Sequence, residues 1–190
     1  MSDEPRIPPL PPEDWGGDPD LKRILEAVPG GVSRRLGDNN IFPTFAQHPD
    51  FFRAWLPFGG FLLTAGTLAG RDRELLILRT AVRCRSSYEW GQHVRISIDG
   101  GIDRETIDRV LEGPDAEGWS AHDAALLRAA DELHDNSRIS DATWEKLAET
   151  YGRQQLIEAT VVVGHYHMLA FALNSFGVQL DEGIEQLPEP

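Results

Sequence analysis

The segment 156–173, LIEATVVVGHYHMLAFAL, is apolar on nearly every side. A helix of that kind has no face to give to water, so it belongs inside the domain or at a subunit contact. Its Val161-Val162-Val163 run leans towards β structure. The length of the segment and the lack of any partner strand favour a helix over 153–175. A chain built around such a helix must wrap it in other amphipathic helices.

Those helices can be read from their stops and caps. A short one over 20–28 is closed by Pro29-Gly30-Gly31, and 39–49 reads as an irregular connection broken by Pro43. Segments 50–55 and 58–68 read as two helical pieces parted by Pro57. Phe51, Phe52, Trp55, Phe58 and Phe61 recur at roughly helical spacing, which predicts a core stripe. A helix over 71–83 buries Leu75, Leu76, Leu78, Ala81 and Val82, with Asp72 and Glu74 near its positive end. Another, over 86–99, ends at Gly100-Gly101. Asp103 caps the next, which stops at Gly113-Pro114, and Ser120 caps 121–136. Ser140 or Asp141 caps the helix that Gly152 closes. The expectation is an all-α, single-domain helical bundle of about eight helices over residues 21–180. A Pro-rich arm (residues 1–20) precedes it, held by Ile7, Leu10 and Trp15 if it is ordered. An acidic surface tail (181–190) follows.

With 18 basic against 31 acidic residues, the formal charge is −13. A field of that sign repels phosphate backbones, so neither nucleic acid nor an anionic membrane is an expected partner. No apolar run is read as spanning a bilayer, and the N-terminal residues lack the charged and apolar regions of a signal peptide, so a cytoplasmic protein is expected. The single cysteine, Cys84, excludes an intrachain disulfide and a dithiol pair, and reads as a structural thiol.

The residues that carry chemistry concentrate in 74–94, ELLILRTAVRCRSSYEWGQHV. If Ser86 starts a helix, Ser86 and Glu89 have the S-x-x-E spacing of a capping box. Glu89 and His93, four apart, share a helix face and suit a carboxylate–imidazole pair that moves protons. Glu74 is costly to bury unless paired. His165 and His167 lie two apart and face different ways on a helix, with His165 the better placed to reach a cavity. His48, His122 and His134 read as loop or helix-surface residues. No metal-binding motif such as H-E-x-x-H, no glycine-rich phosphate loop and no G-x-S-x-G elbow is present. Neither a metal nor another cofactor is expected.

These residues also carry a resemblance. Glu74, eleven residues, Ser86, Glu89 and His93 keep the register of a glutamate followed by C-x-x-C-x-x-x-H, with both thiols replaced. RDRELLILRTA, SYEWGQHV and VVVGHYHMLAFALNSFGVQL are similarly typical. The chain resembles the carboxymuconolactone decarboxylase family, which also contains the alkylhydroperoxidase D-like proteins. The resemblance is clearest over 71–113 and looser over 7–180. It implies an alkylhydroperoxidase D-like all-α fold that assembles as a homo-oligomer (dimer, trimer or hexamer), with sites near subunit contacts.

What the resemblance implies for function is a cofactor-free lyase or isomerase. Its substrate would be a small lactone or carboxylic acid, with decarboxylation in aromatic degradation as the specific version. Glu74, Glu89 and His93 are then the catalytic residues: His93 donates the proton, Glu89 orients it and Glu74 tunes it. Ser86, Tyr88, Trp90 and His165 are expected to bind substrate or wall its pocket, and Arg79, Arg83 or Arg85 to receive its carboxylate if not simply solvated. Two alternatives are an alkylhydroperoxidase-type peroxidase and a non-catalytic binding or assembly scaffold. A serine cannot cycle through sulfenic acid and disulfide, which weighs against the peroxidase.

Overall fold

The computed structural model describes residues 4–27 and 35–189. Among them are nine α-helices, two short 3₁₀ turns (Pro12–Gly17 and Leu36–Asp38) and no strand. The helices are α1 (Pro19–Leu25), α2 (Ile41–Phe45), α3 (Pro49–Thr64), α4 (Gly70–Cys84), α5 (Ser87–Asp99), α6 (Arg104–Glu112), α7 (Ala121–Asn136), α8 (Asp141–Ala148) and α9 (Arg153–Phe176). The all-α bundle read from the sequence is therefore the fold. The predicted Pro29-Gly30-Gly31 stop lies outside the described residues.

Helix α4 is the hub, packed on α5, α7 and α9. Arg71–Asp123, Arg79–Asp131 and Arg83–Asp135 join α4 to α7, each pair separated by 52 positions. A constant offset means that the two helices run in the same direction. Leu68 N donates to Glu158 and Asn174 Nδ2 donates to Cys84 O, both across 90 positions, so α9 runs parallel to α4 as well. The intervening α5, α6 and α8 carry the chain back between them.

Caps at Asp103, Ser120 and Ser140 form as read, accepting from Thr106, Asp123 and Thr143 N–H. Pro57 does not divide α3. It sits on the exposed side, where the carbonyl it leaves without a donor can be hydrated, while Phe52, Trp55 and Leu62 bury the opposite face. The aromatic stripe splits for the same reason: Phe52 and Trp55 are core, but Phe51, Phe58 and Phe61 are exposed. The connection over 39–49 contains α2, whose Ile41 and Phe45 are buried. Helix α9 is long and apolar enough to cross a membrane by length and composition, although no such run was read from the sequence; half of its apolar window is buried in the fold.

The described segments at either end, from residue 4 and up to residue 189, are packed on the bundle. Trp15 is buried and donates Nε1–H to Leu10 O, and Arg6 N–H reaches Phe176 O. The acidic tail is not simply surface. Asp181 is buried, accepting from Asn40 N–H, Tyr88 Oη and Gln92 Nε2, because three donors there offset the cost of removing a carboxylate from water.

Candidate active site

The turn between α4 and α5 builds the site. Arg85 takes a left-handed conformation (φ 52°), and Ser86 N–H closes back onto Ala81 O at 2.9 Å. This Schellman-type closure ends α4 and folds α5 antiparallel onto it. His93, two turns into α5, is thereby returned to the level of Glu74.

His93 Nδ1 lies 2.6 Å from Glu74 Oε2. A carboxylate only accepts, so Nδ1 carries the proton and Nε2 is the exchangeable nitrogen. Glu89 Oε2 lies 3.5 Å from that Nε2. Arg73 Nε donates to the other oxygen of Glu74 at 3.0 Å. Glu74, Glu89 and His93 are 3%, 4% and 4% exposed, so the array is almost dry in a single chain. The Tyr166 ring stands edge-on to the imidazole, 4.9 Å between centroids.

Burial and charge drive the two carboxyls apart. Burial pushes Glu89 up to about 7, with His93 opposing the rise and Glu74 adding to it. Burial works on Glu74 in the same direction, but the charge and hydrogen bond of His93, then Arg73, overcome it and hold Glu74 below the ordinary range. His93 is raised: burial disfavours the imidazolium, and Glu74 followed by Glu89 more than compensates. One carboxylate is thus a fixed counter-ion, while the other titrates near neutrality beside the exchangeable nitrogen.

The structure brings together the three residues read as catalytic, but with partners rearranged: Glu74, not Glu89, is the closer partner of His93. Ser86 is the N-cap of α5, yet its side chain caps nothing, so the expected capping box is not formed. The Glu89 carboxylate faces His93 instead. Ser86 Oγ is buried without a hydrogen-bond partner, as is Ser97 Oγ one turn beyond His93. Ser86, Glu89, His93 and Ser97 therefore form a buried polar stripe along α5.

Tyr88 and Trp90 do not line this stripe. Tyr88 Oη donates to Asp181 and accepts from Ile41 N–H, while Trp90 Nε1 donates to Glu185, because both side chains leave α5 towards the tail. His165 stacks on Trp55 (6.4 Å, 12°) and meets Phe58 and Tyr166 edge-on. Burial lowers it to about 4, so it is a neutral imidazole reaching the site only through Tyr166. Arg79 is neither solvated nor free for a substrate: it is buried, gripping both oxygens of Asp131 and the carbonyls of Val110 and Leu111. Arg83 pairs with Asp131 and Asp135, and Arg85 is exposed in the turn. Sequence reasoning missed Arg73 and Tyr166. Arg73 adjoins Glu74, but neighbours on a helix do not ordinarily face each other.

Cys84 turns away from this array towards His134, and burial pushes its thiol up to about 11. The group with metal-ligand spacing among the described residues is Cys84, His134 and His167, not the Glu74–His93–Glu89 array.

Residues 49–132 match the carboxymuconolactone decarboxylase family. Solved structures with the same fold include an alkylhydroperoxidase AhpD core, an uncharacterized peroxidase-related protein from Ralstonia eutropha JMP134. It is 22% identical, with a TM-score of 0.78 and 93% of each chain covered. A cysteine-to-alanine variant of the debrominase Bmp8, in complex with 2,3,4-tribromopyrrole, is 14% identical, with a TM-score of 0.78, covering 96% of this chain and 95% of that one. An uncharacterized peroxidase-related protein from Silicibacter sp. TM1040 is 15% identical, with a TM-score of 0.69, covering 96% and 92%. No curated protein matches the chain. At these identities the likeness concerns the fold, which is alkylhydroperoxidase D-like and agrees with the resemblance carried by Glu74, Ser86, Glu89 and His93.

Proposed function

We propose that this chain, which carries a carboxymuconolactone decarboxylase family segment over 49–132 on an alkylhydroperoxidase D-like fold, is a cofactor-free lyase or isomerase. Its substrate is a small lactone or carboxylic acid, and its chemistry is proton transfer through His93. The observation that carries this reading is the Glu74–His93–Glu89 array, 2.6 Å on one side of the imidazole and 3.5 Å on the other.

Glu74 holds Nδ1–H and stabilises the imidazolium, which leaves Nε2 to give or take the reacting proton. For a carboxymuconolactone-type substrate, the bond between carbon and carboxylate breaks and CO₂ leaves. The electron pair passes through the conjugated system to the lactone carbonyl as a dienolate. His93 Nε2–H then protonates carbon, and Glu89 returns a proton to Nε2. The unpartnered Ser86 and Ser97 hydroxyls lie on the same helix face and are donors for the lactone oxygens. His93→Ala is expected to abolish turnover of small unsaturated lactones, followed by CO₂ release or by deuterium incorporation in ²H₂O, while the helical content is unchanged. An unaltered kcat/KM in that variant overturns the assignment.

The peroxidase alternative lacks its chemistry. Ser86 and Glu89 stand at the two thiol positions, and Cys84, with its thiol held protonated, faces His134. Wild-type protein and Cys84→Ser are expected to be equally inactive towards peroxide. The scaffold reading has one observation in its favour, the near-complete burial of the array in a single chain. If no lactone or carboxylate raises Tm, the scaffold reading gains.

The homo-oligomer belongs to the same proposal. Ile157, Val161, Gly164 and Phe171 are exposed along α9 with half-buried Met168 between them, at alternating spacings of four and three. That seam suits a helix of a second copy.

A further inference from the structure

Helices α4, α7 and α9 bring a second group of side chains together, ten residues or about 15 Å along α4 from Glu74. Cys84 is the last residue of α4, His134 lies in the last turn of α7, and His167 faces them from α9. The thiol sulfur and one ring nitrogen from each histidine all lie within 4.8 Å of one another. Cys84 Sγ is 3.9 Å from His134 Nδ1, and the facing ring nitrogens, His134 Nδ1 and His167 Nε2, are 2.9 Å apart.

The tautomers decide what these atoms offer. His167 Nδ1 is 2.8 Å from Val163 O, and a carbonyl oxygen only accepts. Nδ1 therefore carries the proton and Nε2 presents its lone pair towards Cys84 and His134. A histidine fixed through its second nitrogen by a backbone carbonyl is the usual support of a metal-binding imidazole. Tetrahedral zinc, with bonds of about 2.0 Å to nitrogen and about 2.3 Å to sulfur, needs N–N edges near 3.3 Å and S–N edges near 3.6 Å. The Cys84–His134 and His134–His167 distances each move by less than about half an ångström to meet those edges, and the third edge, from Cys84 Sγ to the His167 ring nitrogen, closes from within 4.8 Å by side-chain rotation. None of the three residues is fully buried, so an ion can enter from solvent. Arg83, the adjacent cation, is neutralised by Asp131 and Asp135.

We propose that Cys84, His134 and His167 form a three-ligand site for a borderline divalent transition metal, Zn²⁺ by preference, with its fourth position open. A thiolate and two neutral imidazoles match zinc, whereas Mg²⁺ and Ca²⁺ seek oxygen. On binding, the Cys84 thiol loses its proton to solvent as the S–Zn bond forms, while His134 gives up the Nδ1 proton it shares with His167 and takes one from solvent at Nε2, so that both imidazoles stay neutral. The site uses none of Glu74, Glu89 or His93, so it stands or falls apart from the proposed lyase chemistry.

The full chain, stripped with a chelator under reducing conditions, is titrated with Zn²⁺ by calorimetry and with Co²⁺ by absorption. One equivalent is expected to bind, with Co²⁺ giving a thiolate charge-transfer band and the intense visible bands of tetrahedral coordination. Cys84→Ser, His134→Asn and His167→Asn should each weaken Zn²⁺ binding by at least about 100-fold, more than loss of an outer partner costs. His48→Asn and His122→Asn should bind as wild type. Should a ligand variant unfold, Zn²⁺ protection of the wild-type Cys84 thiol from a disulfide reagent reads the same contact. The absence of a one-equivalent site, a Co²⁺ spectrum without the thiolate band, or equal affinity in folded Cys84→Ser overturns the proposal.

Discussion

Glu89→Gln isolates the charge that the fold buries at the centre of the array. The Glu89 carboxyl is pushed from an ordinary 4.5 to about 7, first by burial, with His93 opposing the rise and Glu74 adding to it. In the unfolded chain the same group ionises near 4.5, so across the intervening pH range the native state keeps a proton that the unfolded state has lost. Its favourable contribution is therefore complete below pH 4.5 and is lost as pH rises through 7. A gap of about 2.5 units corresponds to about 3 kcal/mol. Glutamine cannot ionise and does not suffer this loss. The stability of Glu89→Gln relative to wild type, from urea midpoints at constant m value, is expected to rise by about 3 kcal/mol between pH 4 and pH 8. His93 is also raised, against burial, by Glu74 and then Glu89, so its own contribution is full below about 6.5 and lost as pH climbs through its folded value. Repeating the comparison in a His93→Gln background removes that contribution and should leave the sign unchanged. A difference between variant and wild type that stays flat across the pH range would refute the reasoning, because Glu89 would then titrate as an ordinary solvated carboxyl.

Three further outcomes follow from the packing. Arg79→Met strands Asp131 and two carbonyls in a largely buried setting and should cost about 3 kcal/mol or more in urea unfolding, with Arg79→Met/Asp131→Leu recovering much of the loss; a cost below about 1 kcal/mol contradicts the buried pair. A Cβ at Gly91 would overlap Ile184 Cγ2 and the backbone oxygen of Glu185, so Gly91→Ala should cost about 1–3 kcal/mol and expose residues 181–189 to limited proteolysis while the bundle stays helical; an unchanged cleavage pattern shows the tail is not seated there. Phe171→Glu places a charge in the exposed seam of α9 and should shift light scattering from oligomer to monomer without loss of helicity; an unchanged mass removes that face as the contact.

Much of the fold was legible because helix signals are local. Asp103, Ser120 and Ser140 sit where a side-chain oxygen meets the third residue on, and each caps its helix. Pro57 misled because a proline's cost depends on which side of the helix it occupies, which spacing alone does not reveal. The aromatic run over 51–61 covers more of the helix circumference than the core accepts, so periodicity could not say which rings remain outside. Tyr88 and Trp90 were read as pocket walls because they stand beside Glu89 in sequence. Their partners, Asp181 and Glu185, come from over 90 positions away. Cys84, His134 and His167 carry no local motif; their proximity exists only once α4, α7 and α9 run parallel.

Packing against α5 and α7 explains why α4 carries buried charged groups without being destabilised by them. Glu74 is answered by His93 of α5 and Arg79 by Asp131 of α7. Removing either partner of a buried pair exposes the other's desolvation cost, so these contacts fix the register of two neighbours at once. The resemblance sets Ser86 and Glu89 at two thiol positions, and the Glu89 carboxyl there has a definite consequence. A buried carboxyl brought next to His93 cannot be fully ionised beside Glu74 at neutral pH, so the pair must share its protons. A thiol pair in that place would exchange electrons, whereas Glu89 and His93 can exchange only a proton. The proposed proton transfer rests on that difference, with Glu74 fixed as the counter-ion on the far side of the ring.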